Sequence, residues 1–424
     1  MRSIVSSLLA ATAIAGAAGA EITHYVNGHV WNGSGFETRT LAVEDGHFID
    51  VSGTPDSVID LEGGYVVPAY ANAHHHITNP NDAGGWQFLE QGVFYVWNPN
   101  LLGRASSDGA REYYARRDTY DVRTSYGGIT EPGGHPEPLY TVTLREFVYP
   151  NIPIEDFLGD AFHYGRTPAQ IDAALDLLAE QQADFVKTYL LYSQEYETRR
   201  DDDSYGAERG LNPDNYAYLI EAAHARGLPV AVHVETGHDF EVAARAGVDM
   251  FAHIPGHAAQ TEVEEIEIRR ISPEAAALAA EAGSLAVPTF WLARSVYSYN
   301  QVQNPDEAAP EEIRQQMYQL QADNLRTLQD AGVPILTGTD AGYGIFDEIE
   351  HMYGTGGMTN AEALTAVFQT GAYLFPDRRI GCFETGCEAD FLSLNADPSQ
   401  DLTALRQISL RIKAGERLEA PAAD

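Results

Sequence analysis

From Gly64 onward the chain alternates short apolar runs with helical stretches. Eight of those runs, ending near Ala71, Val96, Ser125, Tyr189, Val234, His253, Pro288 and Gly338, read as strands. Strands separated by helices pair in parallel, since each crossover returns the chain to the same end of the sheet, and eight is the number that closes a parallel barrel. The expected fold class is therefore α/β, a (β/α)8 TIM-type barrel. In such a barrel all strand C-termini open on one face, so residues far apart in sequence meet there when each one ends a strand.

Several residues satisfy that condition. His74 and His76 follow the run Tyr65-Val66-Val67-Pro68, His233 ends Pro229-Val230-Ala231-Val232, His253 follows Met250-Phe251-Ala252, and Asp340 follows Ile335-Leu336-Thr337-Gly338-Thr339. On an extended chain His74 and His76 project to the same side and can share one ion, while His75 points away. Lys187 lies inside the apolar run Phe185–Leu191, and it is one of only two lysines beside twenty-four arginines. A buried ammonium is costly unless paired or chemically changed, so lysine at this place points to a use for its amine that arginine could not serve.

Two helices are legible. Thr167-Pro168 starts one, with Ile171, Leu175 and Leu178 at helical spacing; Pro213 opens another, with Leu219, Ile220 and Ala223 on one face and Gly227 as its stop. Residues 21–64 are rich in β-branched and aromatic residues and carry turn signals at Asn27-Gly28, Asn32-Gly33 and Asp45-Gly46, which reads as a small sheet of hairpins. The segments Ala389–Leu394 and Ile408–Lys413 read as strands that complete this sheet. The expected organisation is a leader over residues 1–20, a β-sandwich part over 21–64, a barrel over 65–376 and the second sandwich part over 377–424.

The first twenty residues run from Arg2 through the apolar Ile4–Ala17 to Ala18-Gly19-Ala20, the order of a secretory signal peptide, so export to the periplasm or beyond is expected. The formal net charge is -36. Such acidity argues against nucleic acid and anionic membrane surfaces as partners, and one chain does not reveal its oligomeric state. Cys382 and Cys387, the two cysteines, flank a Gly-containing turn and are a disulfide candidate in an oxidising compartment.

Taken together, Pro68–His76, Asp184–Lys187, His233, His253 and Thr337–Gly342 resemble the amidohydrolase superfamily of metal-dependent hydrolases, in order and spacing across nearly all of the chain beyond the leader. Ala69 departs from the glycine usual there, at a turn rather than a ligand. The lysine-containing version is similar to the prolidase-like and imidazolonepropionase-like branch. That resemblance implies two divalent metal ions, zinc first among them, bridged by a carbamate on Lys187. His74, His76 and Asp340 would hold the first ion and His233 and His253 the second. It further implies metal-activated hydroxide attacking a carbonyl, with Asp340 accepting the proton and passing it to the leaving group.

Substrate contacts are less constrained. His135 ends a Gly-Gly-His segment resembling one in the same branch, Tyr189 and Tyr192 follow Lys187, and His257 lies four beyond His253. Tyr189 and Tyr192, three apart on a strand, would face opposite sides. Arg123, Arg199 and Arg200 are candidates for binding a substrate carboxylate. The leading reading is an exported dinuclear hydrolase of a carbon–nitrogen bond in a dipeptide, an acylated amino acid or a cyclic amide. The alternatives are a single-metal heterocycle deaminase, a lactone or ester hydrolase, and a non-catalytic periplasmic binding protein. Deaminases of the superfamily resemble one another in a glutamate three residues beyond the fifth-strand histidine, where this chain has Thr236.

Overall fold

The computed structural model describes residues 21–77, 82–100, 102, 110–306, 308–342 and 344–420. The leader expected over residues 1–20 lies outside them. The described chain begins with β1 (Thr23–Trp31), β2 (Phe36–Glu44), β3 (His47–Ile49), β4 (Ser57–Asp60) and β5 (Tyr65–Pro68). Hairpins join β1 to β2 and β2 to β3, but β4 and β5 both run parallel to β1, so the N-terminal segment is not a set of hairpins throughout. Asp45 and Gly46 make the expected turn with φ of 46° and 76°. Asn27-Gly28 does not turn the chain. It forms a bulge within β1, where Asn27 takes φ 58° and the register shifts; a Cβ on Gly28 would meet Leu61 at 2.6 Å.

A parallel set follows: β6 (Tyr70–Asn72), β7 (Val93–Asn98) and β8 (Asp121–Thr124) in one sheet. β9 (Gly128–Thr130), β10 (Phe162–Tyr164), β11 (Val186–Leu190), β12 (Val230–Val234), β13 (Met250–Phe251) and β14 (Leu285–Ala286) form a second. Every residue of β11 and β12 is buried, as expected of parallel strands covered on both faces. Residues 335–340, the expected eighth strand, make only isolated bridges, Ala286 with Ile335 and His75 with Asp340. The two sheets are therefore not closed by one continuous ladder. Single hydrogen bonds span the seam instead, from Leu336 N–H to Ala286 O (2.8 Å) and from Ala73 N–H to Thr337 O (2.7 Å). Pro334 has no N–H to offer a ladder, and Asp340 turns the backbone to φ 63°, which ends the extended run.

Both anticipated helices form. Pro168–Glu180 is capped by Thr167 in a reciprocal bond with Gln170 and buries Ile171, Ala174, Leu175 and Leu178. Pro213–Asn215 leads into Tyr216–His224, which buries Leu219, Ile220 and Ala223. The chain ends in β15 (Phe391–Leu394), β16 (Ile408–Lys413) and β17 (Glu416–Arg417). These complete one eight-stranded sheet in which β15 lies antiparallel to β5, so the pairing links the expected sandwich parts in a single sheet. Its own apolar core includes Tyr25, Phe48, Val66, Phe391 and Ile412, and Cys382 and Cys387 are disulfide-bonded beside it. The second lysine, Lys413, is buried and pairs with Asp121 at 2.8 Å, tying β16 to β8.

Candidate metal centre

β6 delivers the first histidines. Asn72 at its end accepts hydrogen bonds through Oδ1 from the N–H groups of His74 and Thr339 (both 3.2 Å), and its amide donates to Thr339 Oγ1 (2.9 Å). One side chain thus fixes the end of β6 against the segment carrying Asp340. His74 Nδ1 lies 2.6 Å from Ala252 O, so this nitrogen carries the proton and Nε2 keeps its lone pair. That Nε2 lies 3.3 Å from His76 Nε2 and 3.2 Å from Asp340 Oδ1, and His76 Nε2 is 3.1 Å from the same carboxylate oxygen. His75 turns away to Thr339 Oγ1 and Phe88.

β12 and the segment after β13 supply the rest. His253 stands between His74 and His257, with ring centroids 4.3 Å from each, and His233 packs 4.9 Å from His253. His253 Nδ1 donates to Thr289 Oγ1 (2.7 Å), whose hydroxyl donates onward to Pro288 O; Nε2 is thereby left as the acceptor. Among the described residues of this centre, two sets offer ligand atoms within 4.8 Å of one another: His74, His253 and Asp340, and His233, His253 and His257. Lys187 is 1% exposed, and its Nζ has no hydrogen-bond partner among the described residues. An orphaned amine beside imidazoles whose acceptor nitrogens face a carboxylate fits a site built to hold cations once that amine is converted to an anion.

The electrostatics favour ligand-ready protonation states. Burial, then the charge of Lys187, takes the His74 imidazole down to about 3, and burial takes His257 down to about 4. Burial likewise holds His253 and His135 well below the ordinary histidine range. Burial lowers the Lys187 amine to about 7 against the opposing pull of Asp340, so a neutral nucleophilic amine is accessible near neutrality. Burial by itself would raise the Asp340 carboxyl, but the imidazoles of His253 and His74 hold it well below the usual carboxylate range.

Residues 207–417, about half of the chain, match the Amidohydrolase family. The chain belongs to the amidohydrolase family. No curated protein sequence matches it. Solved structures share its fold at low identity. A Xaa-Pro dipeptidase with methionine in its active site is 19% identical, with 94% of this chain and 100% of that one covered and a TM-score of 0.69. Ochratoxinase of A. niger is 18% identical, covers 96% of this chain and 97% of its own, and has a TM-score of 0.70. Molinate hydrolase is 16% identical over 95% of both chains, with a TM-score of 0.68.

Around the cluster this amidohydrolase has a cavity of about 510 Å³, with His76, His135, Lys187, Tyr189, His233, His253, His257 and Asp340 in its wall. The His135 ring stacks on His233 at 4.9 Å and leans on Tyr189 at 5.1 Å. Tyr192 is not in that wall. It leaves the strand at φ 48°, and its hydroxyl accepts from Arg269 (2.9 Å) while Arg199 stacks on its ring at 3.8 Å. The three arginines considered for a substrate carboxylate are also elsewhere: Arg123 pairs with Asp377, Arg199 with Glu195 and Glu208, and Arg200 with Glu197 and Asp201. Thr236 caps helix Gly237–Ala246 and bonds to Asp239.

Sequence reasoning passed over Glu235. It accepts from His233 Nε2 at 3.1 Å, lies 3.5 Å from His257 Nε2 and is backed by the buried Arg269 at 3.5 Å. The burial of Glu235 opposes ionisation, but His257, His233 and Arg269 outweigh it and hold the carboxyl far below its ordinary value. Its place two residues beyond His233, hence on the same side of an extended chain, was the available signal.

Proposed function

We propose that this amidohydrolase is an exported, dinuclear metal-dependent enzyme on a (β/α)8 barrel that hydrolyses a carbon–nitrogen bond in a small amide. The observation that carries the reading is the buried Lys187 amine, without a hydrogen-bond partner among the described residues, lining the same cavity as His76, His233, His253 and Asp340. Loss of one proton from the ammonium would give the free amine, and addition of carbon dioxide at Nζ with loss of a second proton would give a carbamate, an anion with two oxygens in place of a cation. His74, His76 and Asp340 would then hold one ion, His233 and His253 the other, with the carbamate oxygens serving both. When bound, such ions lower the pKa of water and polarise a carbonyl oxygen.

The chain's own groups complete the chemistry. Asp340, held as a carboxylate, takes the proton from the attacking water and returns it to the departing nitrogen. Ala252 O and Thr289 Oγ1 fix the tautomers of His74 and His253, so that no ring must rotate when a ligand arrives. His135 and Tyr189 stand where they can bind the oxygen of a tetrahedral intermediate. Zinc is the first expectation for nitrogen and carboxylate donors.

Metal analysis of the purified protein tests the reading. Two divalent ions per chain are expected, with one or both lost in Lys187→Ala together with hydrolysis of amides. A single ion that survives Lys187→Ala would overturn it.

A further inference from the structure

We infer that Glu235 is a positioning residue of the metal centre: by accepting the Nε2 hydrogen of His233 it holds that ring in one orientation and one tautomer, with the opposite nitrogen free for an ion. The part that concerns an ion rests on the dinuclear reading, and the part that concerns the ring does not.

A histidine ring turns about a broad, roughly two-fold χ2 torsion, so the place of His233 near the end of β12 does not decide which nitrogen faces the cavity. For His74 and His253 the decision is made at Nδ1, by Ala252 O and Thr289 Oγ1. For His233 it is made at the other nitrogen. Glu235 Oε1 lies 3.1 Å from Nε2, and a carboxylate paired with a guanidinium only accepts, so Nε2 carries the hydrogen and Nδ1 keeps the lone pair. An anionic acceptor also makes the imidazole a stronger donor to a metal. His233 and His257 line the cavity, and Glu235 is not among the described residues that do, so it acts through the ring and not on a substrate.

The surroundings of Glu235 keep it in place. Gly237 N–H donates to Ile268 O at 2.8 Å, and a Cβ on Gly237 would meet Arg270 O at 2.1 Å, so the chain just after Glu235 lies against the segment that carries Arg269. The buried Asn324 donates to Arg269 O and to Pro255 O (both 2.9 Å) and accepts from Ile271 N–H (2.9 Å), which joins that segment to the chain between His253 and His257. Arg269 has a nearer carboxylate of its own, Glu265 at 3.1 Å against 3.5 Å for Glu235. Balancing the charge of Arg269 therefore does not account for Glu235, whereas His233 is closer to Glu235 than Arg269 is.

Long-range proton–nitrogen NMR on the full chain, labelled in histidine and stripped of metal, reads the tautomer of each ring, with signals assigned by their loss in His74→Asn, His233→Asn and His253→Asn. We expect the proton of His233 on Nε2 and those of His74 and His253 on Nδ1. In Glu235→Gln, whose amide donates as well as accepts, the His233 signal should move toward a mixture of tautomers. Competition with a chelator should then show affinity for one of the two ions down about 10- to 100-fold, with the other changed less than about threefold. Glu235→Gln combined with Arg269→Met removes both charges together, and the loss of affinity should persist in it. A His233 proton on Nδ1 in the parent overturns the inference whatever the metal content, and so does parental affinity in either variant. A single ion in the parent, with the proton on Nε2 and that ion weakened by Glu235→Gln, leaves the inference standing and removes the dinuclear reading.

Discussion

His74 Nδ1 sits 2.6 Å from the carbonyl oxygen of Ala252, a bond between the end of one strand and the end of another 178 residues later. It sets which ring nitrogen is protonated and aims the other at Asp340 and His76. The centre thus depends on backbone placement as much as on its donors, and several outcomes follow.

The Thr289 hydroxyl does for His253 what Ala252 does for His74. Thr289→Val removes the acceptor at 2.7 Å while keeping the shape, and is expected to weaken metal binding roughly 10- to 100-fold, read by titration with a competing chelator. Unchanged affinity would show that packing alone orients the ring.

Asp340→Asn separates ligation from proton transfer. The amide oxygen can still coordinate but cannot carry the proton, so metal content measured by elemental analysis should persist while kcat falls about 10²–10⁴-fold. Full activity in this variant would remove the proton role.

Glu348 offers a pH test away from the metal residues. Its carboxylate accepts the N–H groups of Phe290 (2.8 Å) and Trp291 (2.6 Å), yet burial outweighs these bonds and raises it to about 7. A carboxyl raised on folding binds protons more readily in the folded state, so it adds stability as pH falls from about 8 toward its unfolded value near 4.5, and that stability is lost again as pH rises through 7. Glu348→Gln lacks this response. The stability advantage of the parent over the variant, from denaturant unfolding, should grow by about 2.5 kcal/mol between pH 8 and pH 5. A constant difference would rule the titration out.

The disulfide between Cys382 and Cys387 closes a short loop beside Phe383, which packs into the core of the terminal sheet. Cys382→Ser combined with Cys387→Ser should cost about 2 kcal/mol of unfolding free energy. Metal content should be unaffected, because the loop lies in the terminal sheet and not at the centre.

Much of this architecture was legible because its signals are local. Lys187 stands out as an amine in an apolar run, and His74 and His76 declare a common side by their spacing. Thr167 with Pro168 announces a helix that forms as read. Asn27-Gly28 misleads because the same dipeptide serves a turn or a bulge, and only Leu61 packed over Gly28 decides between them. Tyr192 could not be placed because its direction follows from a left-handed backbone and a partner, Arg269, 77 residues away. The partial eighth strand was hidden for a similar reason, since apolar spacing predicts extension but not whether Pro334 and Asp340 leave enough donors for a ladder.

The sheet built from both termini has a consequence for how the molecule is made. β5 leads almost directly into the residues that present His74, and it is held on one side by β15, while Tyr70 donates its hydroxyl hydrogen to Leu405 O. The earliest piece of the cradle therefore cannot lock until residues 391–405 have been synthesised. A nascent chain would carry His74 and His76 loosely until those residues emerge.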